Sequence, residues 1–227
     1  MSLYTIATIA VVALLAVLFV VRLVNNAVVQ SLRLMEEADP FLDVADDGHA
    51  KLSGDPSYAW RHEWAVANGF EPDLLAASSA TLDGSTILIA VWRNNYKSTS
   101  FASYAAGISI TCEFVTTLSD DGGLTTSNNK DSSLLPQRPG HITQVFDGAD
   151  LSALYEKHEA GLTCLQERKN VSIIDLHRPT AELIAESVKK QTAYIKTLPF
   201  WKYRGAWWYF VRRPRMNNRS VADQVRA

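Results

Sequence analysis

The side chains best suited to chemistry are five histidines (His49, His62, His141, His158, His177), two cysteines (Cys112, Cys164) and a scatter of carboxylates. Their spacing builds none of the common reactive arrangements. His62-Glu63 opens like H-E-x-x-H, in which two histidines one helical turn apart hold zinc, but the second histidine is missing. Cys112 and Cys164 stand 52 positions apart, so no C-x-x-C is formed. No Walker-type phosphate loop, no G-x-G-x-x-G after a strand and no G-x-S-x-G elbow occurs. Asp120 and Asp121 sit in a Gly-rich turn and have the oxygens a cation takes, but turn carboxylates are ordinarily solvated. His158 falls on the apolar stripe of a helix pattern and reads as a satisfied, partly buried histidine rather than a ligand. Cys112 falls on a strand's apolar face and reads as inert core. The expectation is therefore no catalytic residue, no metal site and no cofactor, in a chain that leans away from being an enzyme.

Two groups of residues are suited to binding. The first is the C-terminal tail. Residues 200–227 hold seven basic side chains and one acid, net +6, while residues 34–199 hold 13 basic and 23 acidic ones, net −10. Seven aromatics fall within residues 200–210. Trp and Tyr favour the headgroup zone, and each Lys or Arg there gains about 1 kcal/mol from an anionic leaflet. Trp201, Lys202, Tyr203, Arg204, Trp207, Trp208, Arg212, Arg213 and Arg215 are thus the expected membrane-surface contacts. Residues 205–211 are too short to cross a bilayer, which takes about 20 apolar residues. Two other readings compete: the aromatics pack on the domain or on a partner, or the tail binds nucleic acid by stacking and phosphate pairing. The acidic body argues against nucleic acid. The second group is Trp60, Trp64, Trp92, Tyr104 and Phe114, which could line an apolar cavity under a curved sheet. Their spacing also fits a packed core, which is the reading the sequence favours.

These residues need elements to position them. Residues 3–24 are almost wholly apolar, with only Thr5, Thr8 and Arg22 as interruptions. At about 1.5 Å per residue the stretch is long enough for a bilayer's hydrocarbon core. A cleaved signal would want a basic start and a small-residue cleavage site; the first eight residues are uncharged and no A-x-A follows. No Lys or Arg precedes the stretch, and Arg22 and Arg33 follow it. Positive charge favours the cytoplasmic side, so the N-terminus is expected outside and the large C-terminal part in the cytoplasm. Two cysteines as free thiols fit that compartment.

Beyond residue 25 the pattern prolongs the helix and then turns into an acidic linker to residue 55. Asp55-Pro56 caps a helix over 56–68 and Gly69 stops it. Strands are expected at 74–82, 86–92, 98–105, 108–118, 124–127 and 141–146, with Asp83-Gly84 as a hairpin turn. Helices follow at 150–167 and 179–197. The fold class is α+β: a single transmembrane helix (1–25), a helical extension and linker (26–55), an antiparallel meander of five to six strands packed by three helices on one face (56–199), and a basic aromatic tail (200–227). The functional expectation is a single-pass, membrane-tethered, non-catalytic binding or assembly module. Its partners would be the lipid bilayer and other membrane proteins. The alternatives are a cytoplasmic-face domain for a lipid or small apolar ligand, and a membrane-associated enzyme with an unrecognised site.

Overall fold

The computed structural model describes residues 2–37, 42–43, 55–78, 86–119, 121–174 and 177–225. Helix α1 runs unbroken over Leu3–Glu37, so the apolar stretch and its polar continuation are one rod. It is long and apolar enough to cross a membrane, and none of its apolar stretch is covered by the rest of the described chain. Strand β1 is a two-residue pairing, Leu42–Asp43, inside what the sequence presents as linker.

Helix α2, Pro56–Ala67, starts where the Asp55 carboxylate accepts the Ser57 N–H at 2.8 Å, with Pro56 in the first turn. It ends through Gly69 at φ 78°, where the Phe70 N–H returns to the Ala65 carbonyl at 2.9 Å. Strands β2 (Glu71–Ser78), β3 (Ile87–Asn94), β4 (Thr99–Ala106), β5 (Ser109–Thr117), β6 (Gly123–Ser127) and β7 (His141–Val145) follow in spatial order. The Asp83-Gly84 turn lies outside the described residues. Helix α3, Leu151–Lys169, is capped by Asp150 on the Ala153 N–H at 2.8 Å and ends in Asn170, left-handed at φ 52°. Helix α4 is Thr180–Thr197. The tail is helical as well: α5 (Gly205–Trp207), a π-turn (Trp208–Arg212), α6 (Arg213–Met216) and α7 (Val221–Val225).

Two features differ from the sequence expectation. The sheet is antiparallel from β1 to β6, but β7 pairs with β6 in parallel. Residues 128–140 carry the chain back along the sheet, so β7 starts at the same end as β6; a hairpin would have reversed it. Helices also cover both faces. Tyr58, Ala65, Phe70, Leu75, Ala90, Trp92, Phe101 and Phe114 join Leu151 and Leu154 of α3 in the main core. Leu74, Ala76, Ile89, Val91 and Ala102 point the other way, beneath Ala181 and Ile184 of α4. The physical reason is in β3: Ile87 to Trp92 are six successive apolar residues, and a strand that is apolar on both faces must be covered on both.

A buried polar chain crosses the main core. The Thr99 and Thr116 hydroxyls are 2.8 Å apart, Thr116 Oγ1 is 2.9 Å from His158 Nε2, and Thr126 Oγ1 is 2.8 Å from His158 Nδ1. Gln144 Nε2 donates to Thr126 Oγ1 at 2.8 Å, and Gln144 Oε1 accepts the Val221 N–H at 3.1 Å, tying α7 to the sheet. His158 has no exposed surface, and both ring nitrogens are satisfied. Gly161 lets this happen. A Cβ there would lie 2.8 Å from Gln144 Nε2 and 3.0 Å from Leu124 Cδ2.

Candidate functional site

The first candidate surface forms where the tail meets α1. Asn25 follows the apolar stretch directly and is buried, and its Oδ1 accepts the Ala206 N–H at 2.8 Å. The approach is close because Gly205 has no side chain: a Cβ would stand 3.0 Å from Val28 Cγ2 and 3.1 Å from Asn25 Cα. Val28 and Leu32 of α1, Ile195 of α4 and Trp208 of the tail make one apolar cluster around this junction. Lys196 pairs with Glu36 one layer out. Phe200, at φ 55°, turns the chain between α4 and the tail.

The expected tail contacts divide into two sets. Lys202, Tyr203, Arg204, Trp207 and Arg215 are exposed, with Trp207 at 56%. Phe200 at 77% and Phe210 at 52% extend this aromatic surface, though the sequence reading did not place them among the contacts. Arg215 lies over the Trp207 ring and Lys202 over the half-buried Trp201 ring, with the cations 6.0 and 5.7 Å from the ring centres. Trp208 is turned inward, 3% exposed. Arg212 and Arg213 are half-buried against the domain; Arg213 pairs with Asp131 at 2.6 Å and lies over the Tyr209 ring.

The five aromatics named for a cavity are not brought together around one. Trp92 and Phe101 stack at 5.0 Å, Phe101 and Phe114 at 5.1 Å, and Trp64 meets Phe101 edge-on at 5.7 Å. Trp92 and Phe114 are fully buried in that stack. The Trp64 indole donates to Ser152 Oγ at 3.0 Å. Trp60 is outside the core, exposed, with the Arg61 guanidinium 5.7 Å from its ring. Tyr104 is on the other face of the sheet.

That other face holds the second candidate site, a cavity of about 360 Å³ between the sheet and α4. Tyr104, Glu113, Val115 and Thr125 line its sheet side, and Leu183 and Ile184 its helix side. Ser132 Oγ donates to Glu113 Oε1 at 2.6 Å. Burial pushes the Glu113 carboxyl above its usual range, with the serine bonds opposing, and burial also pushes the Tyr104 hydroxyl up. The rim is ionic: Asp121 pairs with Arg138 at 2.9 Å and with Lys190 at 3.1 Å, and Glu186 pairs with Lys190 at 2.9 Å and Arg178 at 2.5 Å. Hydrogen bonding to Lys190 holds the carboxylates of Asp121 and Glu186 low. These pairs are solvated, so they add little to stability and serve mainly to fix the mouth's shape.

Chemically the cavity offers a carboxyl and a phenol over an apolar wall, which suits hydrogen bonding to a small amphipathic molecule. Among the described residues no group of three or more His, Cys, Asp or Glu side chains could hold a metal ion. Both cysteines are free, and burial pushes the Cys112 thiol up to about 11, away from the reactive thiolate. The sequence reading passed over Glu113, Arg138 and Arg178. The polar alternation Ser109, Thr111, Glu113 was the available signal, but it marks a non-core face without saying what covers it. Comparison of the chain with protein-family models, with curated proteins and with solved structures finds no match.

Proposed function

We propose that this chain is a membrane-tethered, non-catalytic binding or assembly module, held against the bilayer at two points. One is the α1 span; the other is the aromatic face of the tail. The observation that carries the reading is the Asn25–Ala206 bond. Taking residues 3–24 as the hydrocarbon span sets Asn25 at its edge, and the bond to Ala206 supports a position for the exposed Trp207 at that same level. Trp207, Tyr203 and Phe210 then face headgroups, with Lys202, Arg204 and Arg215 beside them. Arg22 and Arg33 after the span favour the cytoplasmic side for the domain. The tail's net +6 agrees, because anionic lipid is concentrated on that leaflet. The partners are the bilayer itself and other membrane proteins, not nucleic acid.

A second reading, a domain for a lipid or small amphipathic ligand, is favoured by one observation: the 360 Å³ cavity with Glu113 and Tyr104 on its sheet side.

The two-point reading is tested by sedimentation with vesicles containing anionic lipid. A chain lacking residues 2–24 stays partly bound at low salt. Neutralising Lys202, Arg204 and Arg215 to Gln then weakens that residual binding by about fivefold per charge. Complete release by the first deletion contradicts a surface role for the tail.

A further inference from the structure

A second cavity, of about 400 Å³, lies beyond the first along the same face of the sheet. Gln191 of α4 ties down the loop residues that border them: its Nε2 donates to the Pro136 carbonyl at 2.7 Å and its Oε1 accepts the Arg138 N–H at 3.2 Å. His141 reaches both cavities. The second is bordered by the loop before β7, by Tyr194 of α4 and by the tail, and is open on its remaining side; its lining includes Arg212, Arg219, Tyr194, Gln137 and Thr143. No aspartate or glutamate lines it.

The pocket is partly open to solvent, and the charged side chains that line it are positive. Arg212 is half-buried, and its Nε has no solvent contact and no hydrogen-bond partner. Among the described residues it forms no ion pair, although its neighbour Arg213 has Asp131. Burial draws the Arg212 guanidinium below its usual value, yet an arginine remains charged. Arg219 spends one Nη2 bond, at 3.0 Å, on the Asp223 carbonyl and keeps further donors. A guanidinium with a buried, unpartnered Nε and no ion pair calls for an anion to offset its charge.

We infer that the cavity between β7, Tyr194 and the tail is a binding site for a phosphate monoester, held by Arg212 and Arg219. Arg212 and Arg219 line the cavity, and Asp223, which bonds Arg219 through its carbonyl, stands outside the lining; two guanidinium charges match the charge of a monoester, about −1.5 to −2 at neutral pH. The guanidinium fork grips two phosphate oxygens at once, and the Tyr194 hydroxyl and Gln137 amide add neutral donors. A ring of acids or an apolar lining would have suited a cation or a hydrocarbon chain; this lining suits neither. The monoester belongs either to a lipid headgroup, such as phosphatidic acid, or to a phosphorylated small molecule. The inference does not rest on the two-point membrane reading, since free phosphate needs no bilayer.

The test uses the full chain in two settings. In neutral detergent, titration calorimetry with inorganic phosphate reports the free ligand. In nanodiscs of phosphatidylcholine, thermal unfolding is compared after adding phosphatidic acid or phosphatidylglycerol, which carries negative charge but no monoester. Binding in detergent that Arg212→Gln weakens by about tenfold or more assigns a soluble phosphate compound. No binding in detergent, with a melting shift from phosphatidic acid that Arg212→Gln abolishes, assigns the headgroup. Equal shifts from both anionic lipids, or no response in either setting, overturn the inference. So does a response that survives both Arg212→Gln and Arg219→Gln. Far-ultraviolet circular dichroism checks that each variant folds, and Arg219→Gln decides the matter if Arg212→Gln does not. If vesicle sedimentation fails while the detergent titration succeeds, the phosphate site stands and only the membrane reading falls.

Discussion

Replacing His158 by alanine lowers the unfolding free energy by about 3–5 kcal/mol, the range of a large buried side chain cut back to Cβ with hydrogen bonds lost. The ring is fully enclosed between α3 and the sheet and bridges the Thr116 and Thr126 hydroxyls. Its loss leaves a void and breaks the polar chain at its centre. The same residue sets the response to acid. Burial holds the folded imidazole down at about 3, against 6.5 for the free side chain. Above pH 6.5 both folded and unfolded chains carry it neutral, and its contribution is complete. As the pH falls from 6.5 towards about 3, the unfolded chain takes up a proton that the folded one refuses. Stability therefore drops on acidification, at a slope approaching about 1.4 kcal/mol per pH unit. Asp121 and Glu186, held below their ordinary values by Lys190, add acid lability only below the usual carboxylate range. Burial of Glu113 works in the opposite sense, favouring the folded state as it protonates. Glu113, raised above its usual value, opposes the histidine as the pH falls, so it is the difference between wild type and His158→Ala that isolates the histidine. Urea unfolding at pH 7.5, 6 and 5 measures it: wild type loses stability across the series and His158→Ala loses much less. Parallel slopes in the two proteins would show that His158 is not the buried titrating group.

Gly205→Val undocks the tail from α1 at a cost of about 2–4 kcal/mol. A Cβ at residue 205 meets Val28 Cγ2 at 3.0 Å and the Asn25 Cα at 3.1 Å, and the latter belongs to a helix backbone that cannot step aside. Overpacking of this kind costs about 1–3 kcal/mol. Pulling the tail back also breaks the Asn25–Ala206 bond and opens the cluster of Val28, Leu32, Ile195 and Trp208 to water. Limited trypsin digestion reads the result. Lys202 and Arg204 flank the dock, and cleavage there is faster in Gly205→Val than in wild type. An unchanged cleavage rate would mean that the tail is not held by this contact.

Much of the fold was legible because local chemistry encodes it. Asp55-Pro56 and Gly69 bracket α2 as capping residues, and the apolar stripes of α3 and α4 mark their length. The coverage of both sheet faces was also written in the sequence, as the unbroken apolar run of β3, but the alternation in β5 drew attention to one face. The parallel pairing of β7 was not legible, since no residue within 128–140 states in which direction a long connection returns. The tail shows the limit most clearly. Composition treats Trp207 and Trp208 alike, and Arg212 and Arg215 alike. Only the helical turn that seats Gly205 on Asn25 decides that Trp207 and Arg215 face outward while Trp208 and Arg212 face in. Glu113 was missed for a related reason: a strand's polar face reads the same whether water or α4 lies over it.

The central claim is that the tail's aromatic face lies at the headgroup level where α1 leaves the hydrocarbon. Nitroxide labels at single cysteines in place of Trp207 and Tyr96, in a Cys164→Ser background reconstituted into nanodiscs, measure depth by relaxation with oxygen and a water-soluble nickel chelate. Tyr96 is 97% exposed on the β3–β4 turn and serves as the aqueous reference. The label at 207 is expected to favour oxygen over the chelate, as a headgroup-level site does, while that at 96 favours the chelate. Equal chelate access at the two positions would place the tail in bulk water and contradict the account.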